Sequence, residues 1–533
     1  MPTIAANLAR KAVYAPRGVV ATSQPLAATA GLGILRAGGN AVDAALASAI
    51  AHTIVSPGSN DIGGDLFAIV WDGERLHGLN ASGRSPVALT LDAVSGGTSM
   101  PTHGWLPVTV PGAPAGWRDL HERFGSLPFE ALFDDAITFA SKGYPVSPRI
   151  AAGWARTAAM HTSRLIGPEF DEWTRVYTRD GVAPTAGERF VNEGSARTLE
   201  LIAATRAEAF YSGEIAQALA AHAAGTGGLI TLEDLANHSS LWVDPISVRY
   251  RDHEVWELPP NGQGIAALIA LGILDGVDLA RKTPAERMHL QIEAMKLGYA
   301  DANAFVADPE IAPAPVAELL SEEYLAARRA LLTDKAQVPE AGDPIRGGTI
   351  YLCAADSDGM MVSLIQSNYM GFGSHVVLPG YGFNLQNRGA GFSVVPGHPN
   401  VAAGGKRPFH TIIPGFLTKG GRPVGPFGVM GGHMQPQGHL QVVMSTVDDG
   451  VDPQQALDRP RWRWETDRDV FVEPAVNETA VTELRDRGHQ VTIEDSSGFG
   501  YGQAIWRLDD EPGAGSGYVA GSEARADGLA MGY

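Results

Sequence analysis

Residues 347–367 read GGTIYLCAADSDGMMVSLIQS, and the fold turns on how that stretch is parsed. Thr349 to Cys353 and Met361 to Gln366 are two strand-like runs, and Asp356-Ser357-Asp358-Gly359 between them is a turn signal. The reading is a β-hairpin with Thr349 at the start of one strand and Ser367 at the far end of the other. Just upstream, residues 331–348 (LLTDKAQVPEAGDPIRGG) are polar, with two prolines and three glycines and no periodic apolar face. They predict an exposed, mobile linker. A threonine at such a junction ordinarily just begins a strand. It becomes chemically interesting if the Gly348–Thr349 bond is cut, because a weak hydroxyl nucleophile needs a neighbouring base. The new α-amine, with a pKa around 8, would be that base, and no separate histidine would be required.

Outward from the hairpin, the first third reads as compact alternation. An apolar-periodic helix near Pro25 to Arg36 closes at Gly38-Gly39, and a second starts at Asn40, which with Asp43 three residues on makes an N-cap pattern. Val42, Ala45, Leu46 and Ala49 fall on one face of that second helix. Leu66 to Trp71, the turn Asp72-Gly73 and Arg75 to Asn80 predict a further hairpin, which leaves Arg84 at a strand exit. From about Gly112 to Ala330 the pattern is mainly helical, broken by strands over Trp242 to Leu258, and the apolar run Ile265 to Leu274 suits a buried helix. The last third reads as short strands with many glycines. There are no repeats.

Composition narrows the function. The 533 residues are 44% hydrophobic, which suits a globular protein able to bury one large core or a few smaller ones. Forty basic against 59 acidic residues give a net charge of -19, without a Lys/Arg block, and argue against nucleic acid as a partner. The opening residues lack a signal-peptide core and no segment reaches the roughly 20 apolar residues of a spanning helix, so the expectation is a cytoplasmic protein without membrane contact. One cysteine, Cys353, excludes an intrachain disulfide framework. His289 and Glu293, four apart on a predicted helix, and His433 and His439 around a Gln/Pro/Gly stretch lack a third ligand at a zinc spacing, so no metal is assigned. With no P-loop, dinucleotide fingerprint or G-x-S-x-G elbow, no cofactor is expected.

At this point a resemblance becomes specific. The 347–367 stretch is similar to the processing site of the γ-glutamyltransferase (glutathione hydrolase-like) family of N-terminal-nucleophile hydrolases. GGNAVDAALA, DIGGDLFAIVW, VPGAPAGW, ITLEDL, LPPNGQGI, HLQIEAMKLGYAD, KRPFHTIIPGF, VMGGHMQPQGH and DGLAMGY follow the order of that family's blocks. The likeness covers nearly the whole chain. It implies an α+β fold, a four-layer αββα sandwich, made as one precursor and cleaved between Gly348 and Thr349 into residues 1–348 and 349–533, which interleave in one domain. It implies Thr349 as nucleophile, Ser367 as the hydroxyl that hydrogen-bonds it, and Gly431 and Gly432 as backbone donors of an oxyanion hole, a role glycine suits because it lets the backbone approach closely. Arg84 matches the arginine that grips the substrate α-carboxylate, and His410 and Thr411 fall where the transferases place two serines on that carboxylate.

The chain departs from the family where the substrate's α-ammonium is held. The usual Gln and, three residues later, Asp are here Arg388 and Gly391, Tyr369 replaces an asparagine, and Ile350 a threonine. A cation at that place disfavours a glutamyl group. The implied activity is transfer or hydrolysis of a γ-glutamyl or related acyl group from a small amide such as glutathione. One alternative is an acylase for glutaryl, cephalosporin-type or small dicarboxylic monoamide substrates. A second, outside enzymes, is an unprocessed scaffold or binding protein of the same fold.

Overall fold

The computed structural model describes residues 10–94, 96–338, 348–495, 498–508 and 517–533. Within the predicted linker, residues 339–347 lie outside the described residues. The fold is mixed α and β, built on two seven-stranded antiparallel sheets.

The first sheet runs, edge to edge, Leu529–Gly532, Val19–Thr22, Gly348–Ala355, Met361–Tyr369, Asp65–Trp71, Leu76–Ala81 and Leu241–Val243. The second runs Val13–Ala15, Tyr518–Ser522, Tyr501–Arg507, Arg422–Met430, Gly415–Lys419, His253–Glu257 and Ile246–Tyr250. Both sheets therefore combine strands from before and after position 349. Gly348–Ala355 and Met361–Tyr369 form the hairpin expected from the sequence, and residues 349–355 and 361–369 are buried. Strands buried on both faces read as continuous apolar runs, which is why the pair stood out. Contact between the sheets is made by Trp71 stacked on Phe416, with ring centroids 6.5 Å apart, and by Tyr351, whose ring lies against the backbone of Gly428.

Helix Ala41–Val55 starts at Asn40 in a full capping box with Asp43, as its sequence predicts. Val42, Ala45, Leu46 and Ala49 are buried, and so are the rest of its fifteen residues, because the helix is enclosed by the first sheet, helix Pro25–Arg36 and helix Asp134–Lys142. Its run of alanines makes that tolerable. Helix Gly264–Asp275, over the predicted apolar run, packs against the second sheet together with helix Met434–Val447. The last third also differs from expectation, since it contains helices Met434–Val447, Pro453–Asp458 and Glu478–Asp486 besides its strands. Among the described residues no helix is long and apolar enough to cross a membrane.

Candidate active site

Thr349 lies 3% exposed at the start of its strand, where the register against the neighbouring strand slips between Gly348 and Ile350. Such a bulge re-aims the side chain at that point. Thr349 Oγ1 is 3.1 Å from Ser367 Oγ, so the strand-start threonine and the strand-end serine meet as the hairpin reading requires. Gln435 Nε2 approaches the same threonine oxygen at 3.5 Å. That glutamine belongs to the first turn of helix Met434–Val447, directly after Gly431 and Gly432, whose φ angles of 137° and 62° turn the chain from strand into helix. The two glycines thus precede, at a helix N-terminus, the glutamine that reaches the threonine, and backbone N–H groups at such an end favour developing negative charge.

Arg388 is fully buried and ties the site together. Its Nη2 donates to Ser367 Oγ at 3.1 Å, its Nη1 to Thr411 Oγ1 at 2.8 Å, and its guanidinium stacks 4.2 Å from the Tyr369 ring centroid. Burial lowers its pKa to about 10, against the pull of Tyr369 and Asp65. At neutral pH it remains a cation. Asp65 is the nearby anion: burial raises it to about 6, opposed by Arg388 and by hydrogen bonds from Gln386, Gly83 and Gly112. Its Oδ2 receives His410 Nε2 at 3.1 Å. Because His410 Nδ1 accepts the Ile412 N–H, the imidazole carries its proton on Nε2 and donates to Asp65. Burial and then Arg388 hold His410 well below the usual histidine range, so it is neutral.

The sequence-predicted residues therefore separate into two groups. Thr349, Ser367, Arg388 and Thr411 form one continuous hydrogen-bonded chain, and beside it His410 bonds Asp65, which opposes Arg388 only by its charge. Arg84 stands in an ion-pair cluster: its Nη1 meets Asp308 Oδ2 at 2.9 Å and the Gly405 carbonyl at 3.0 Å, and its Nη2 bonds Glu310. Gly391 is closed to larger residues, because a Cβ there would lie 2.6 Å from the Phe409 carbonyl oxygen. Ile350 lines a cavity of about 700 Å³ with Trp154, Phe372 and Met430; Thr349 is not among its lining residues. Sequence reasoning missed Asp65, Gln435 and Gln263, whose Nε2 bonds the carbonyls of both Thr411 and Gly432. All three lie inside sequence blocks quoted above, in DIGGDLFAIVW, VMGGHMQPQGH and LPPNGQGI, but neither spacing nor composition marks them.

His289 and Glu293 do gain a third group, His489, with His289 Nδ1 2.8 Å from His489 Nε2. Glu293 already holds the Lys296 ammonium at 2.8 Å, so a metal ion would have to displace a buried lysine. The cluster clamps the chain ahead of Thr349: His289 Nε2 bonds the Thr333 carbonyl, Gln337 N–H donates to Glu293, and Lys296 to the Gln337 carbonyl.

A family model described as Gamma-glutamyltranspeptidase matches residues 27–533. The Glutathione hydrolase-like YwrD proenzyme of Bacillus subtilis (strain 168) is 34% identical over 532 residues, covering 98% of this chain and 99% of that protein. The Oxamate amidohydrolase proenzyme of Klebsiella pneumoniae subsp. pneumoniae is 34% identical over 535 residues, covering 97% and 98%. Among solved structures, the cephalosporin acylase from Bacillus halodurans superposes with a TM-score of 0.95 at 47% identity, covering 100% of this chain and 99% of that one. Matched by the family model over almost its whole length, the chain belongs to the gamma-glutamyltranspeptidase family.

Proposed function

We propose that the chain is a self-processing N-terminal threonine amidohydrolase that removes an acyl group bearing a carboxylate and no α-ammonium. The observation that carries the reading is the hydrogen-bonded chain Thr349–Ser367–Arg388, which puts a fixed cation two hydrogen bonds from the attacking hydroxyl. A glutamyl ammonium would meet that cation unpaired in a desolvated pocket, at a cost on the order of a few kcal/mol. An aspartate at 391 to receive the ammonium does not fit beneath the Phe409 carbonyl. The printed names of two similar proteins agree: oxamate is a dicarboxylic monoamide without an amine, and the other is a cephalosporin acylase.

In the proposed sequence, Thr349 Oγ first attacks the Gly348 carbonyl, the peptide bond gives way to an ester, and water hydrolyses it, leaving residues 1–348 and 349–533 as large and small subunits. Interleaved strands support their staying in one domain, and helices packed on each sheet support the four-layer αββα order. In turnover, Thr349 Oγ attacks the amide carbonyl while its own α-amine takes the hydroxyl proton and passes it to the leaving amine. The oxyanion rests on the N–H groups of Gly431 and Gly432, and water releases the acyl group. His410 and Thr411 frame the acyl pocket with Arg388, and Arg84 is its outer carboxylate anchor. No cofactor or metal takes part in any step.

Intact mass of the purified protein tests processing, and Thr349→Ala should leave one uncut, inactive chain; an uncut wild type would return the chain to a scaffold or binding role. For the substrate, kcat/KM is compared for matched γ-glutamyl and glutaryl anilides on wild type and Arg388→Gln. Wild type should prefer the glutaryl donor, and Arg388→Gln should narrow the preference. A wide wild-type preference for the glutamyl donor would favour the second reading, a γ-glutamyl hydrolase, in keeping with the glutathione hydrolase-like relative.

A further inference from the structure

We propose that the cavity of about 700 Å³ at the start of the Thr349 strand receives the amine half of the substrate, and that Arg149 and Arg156 select a leaving amine that carries a carboxylate. The inference rests on the reading of Thr349 as nucleophile with its own α-amine as base, and it supplies the second half of the same substrate.

Position comes first. When Thr349 Oγ takes the acyl group, an ester bond forms, the amide C–N bond breaks, and the leaving nitrogen takes up the proton that the α-amine drew from the hydroxyl. The leaving amine therefore lies on the α-amine's side of Thr349, towards the beginning of the strand. The cavity occupies that end. Gly348 pairs with Tyr369, and Gly371 and Phe372, two and three residues beyond Tyr369, line the cavity. So do Ile350 and Met430, each one residue from a proposed reacting group: Ile350 follows Thr349, and Met430 precedes Gly431. Successive Cα atoms are about 3.8 Å apart, so a substituent on the leaving nitrogen has only a short way to go from Thr349 to the cavity wall. Ser367, Arg388 and Thr411, the groups assigned to the acyl side, do not line it.

The chemistry of the walls names the ligand. Helix Pro148–Arg164 turns one face to the cavity, with Arg149, Gly153, Arg156 and Met160 three or four residues apart. Both arginines are exposed, and neither makes an ion pair among the described residues; Arg149 lies over the Tyr501 ring, 5.8 Å from its centroid. Asp527, the one acidic residue of the lining, accepts the Arg149 backbone N–H at 3.0 Å. Two guanidiniums against one carboxylate leave this mouth positive on a chain of net charge -19, so the charge is a local feature. Trp154, Ile350, Phe372 and Met430 are buried and give the cavity an apolar floor. A few placed charges over an apolar surface suit a ligand with a hydrocarbon or aromatic body and one carboxylate, which a guanidinium fork receives.

The test compares kcat/KM for glutaryl para-aminobenzoate and glutaryl anilide, which share the acyl half, on cleaved wild type and on Arg149→Gln, Arg156→Gln and the double variant. Wild type should prefer the carboxylated donor by about three- to tenfold, the scale of two exposed charge pairs. The preference should shrink as salt is added, fall in each single variant and approach a ratio of one in the double variant. A wild-type ratio already near one, or a ratio undiminished in the double variant, overturns the proposal. Calorimetry with para-aminobenzoate, the amine product, adds a readout that needs no turnover: it should bind wild type and bind the double variant several times more weakly. Failure of the underlying reading looks different. A wild type that stays uncut, or that hydrolyses neither donor, sinks the nucleophile, and para-aminobenzoate binding then still decides whether the cavity takes a carboxylated amine.

Discussion

Arg84 holds two unequal carboxylates. Asp308 is fully buried and also accepts the Arg407 backbone N–H, whereas Glu310 is 54% exposed at its side chain and shared with the buried Arg407 guanidinium. A substrate carboxylate at Arg84 would displace Glu310 and leave Asp308 in place. Glu310→Gln should then lower KM for an acidic donor, while Arg84→Ala should lose about ten- to a hundredfold in kcat/KM, the scale of a charge-assisted hydrogen bond. If Arg84→Ala lowers the melting temperature and leaves kinetics alone, the arginine only ties residues 308–310 to 405–407. At this scale the sequence was informative about residue types. A cation in place of Gln at 388 was legible, and so was the pairing of Thr349 with Ser367 across a hairpin. That Arg388 would bridge Ser367 and Thr411 was not, because three segments distant in sequence must first be packed before any side chain has a partner. Asp65 was hidden for a related reason: a carboxylate at the start of an apolar strand gives no sign that two glycine N–H groups and a histidine will surround it.

At the scale of elements, legibility followed local signals. The capping box at Asn40, the turn at Asp72-Gly73 and the hairpin around Asp356 to Gly359 are encoded within a few residues, and each formed where read. Helix Met434–Val447 was masked by its own beginning, where Gly431, Gly432, Pro436 and Gly438 resemble a loop. Pro436 is harmless there because the first turn has no intrahelical N–H bond to lose. The enclosure of helix Ala41–Val55 was illegible because a second buried face made mostly of alanine looks neutral in a periodicity count. Contact between the sheets gives a sharp check. A methyl at Gly428 would fall 2.5 Å from the Tyr351 ring, two residues beyond Thr349 on the same strand. Gly428→Ala should cost about 1–3 kcal/mol by overpacking and slow self-cleavage by shifting that strand. Tyr351→Leu in the same background should recover part of both; equal melting temperatures for wild type and Gly428→Ala would show that the sheets part there without penalty.

For the whole molecule, the topology decides what cleavage can do. Strand Val19–Thr22, from before the cut, lies between Leu529–Gly532 and Gly348–Ala355, and strand Asp65–Trp71 hydrogen-bonds Met361–Tyr369, so the first sheet cannot come apart without breaking central ladders. The second sheet repeats the arrangement where Gly415–Lys419 pairs with His253–Glu257. Residues 333–337 add an anchor: Ala336 N–H bonds the Arg487 carbonyl, and the Glu293–Lys296 pair holds the backbone N–H and C=O of Gln337 across from His489. If the chain is cut after Gly348 as proposed, this anchor should keep residues 333–337 of the large subunit fixed to the small one. Native mass measurement of cleaved protein should give a single one-to-one species at nanomolar dilution, although a denaturing gel shows two bands. Subunit release should coincide with loss of the sheet signal in a denaturant titration, since strand ladders in both sheets join the two parts. Replacing Glu293 by Gln leaves the Lys296 ammonium buried without its partner, a loss of the kind that costs about 3–5 kcal/mol when a buried pair is broken. That variant should expose residues 333–337 to proteolysis while the sheets remain intact. Separation of the two chains on simple dilution, with sheet content unchanged in each, would mean that the interleaving does not bind them.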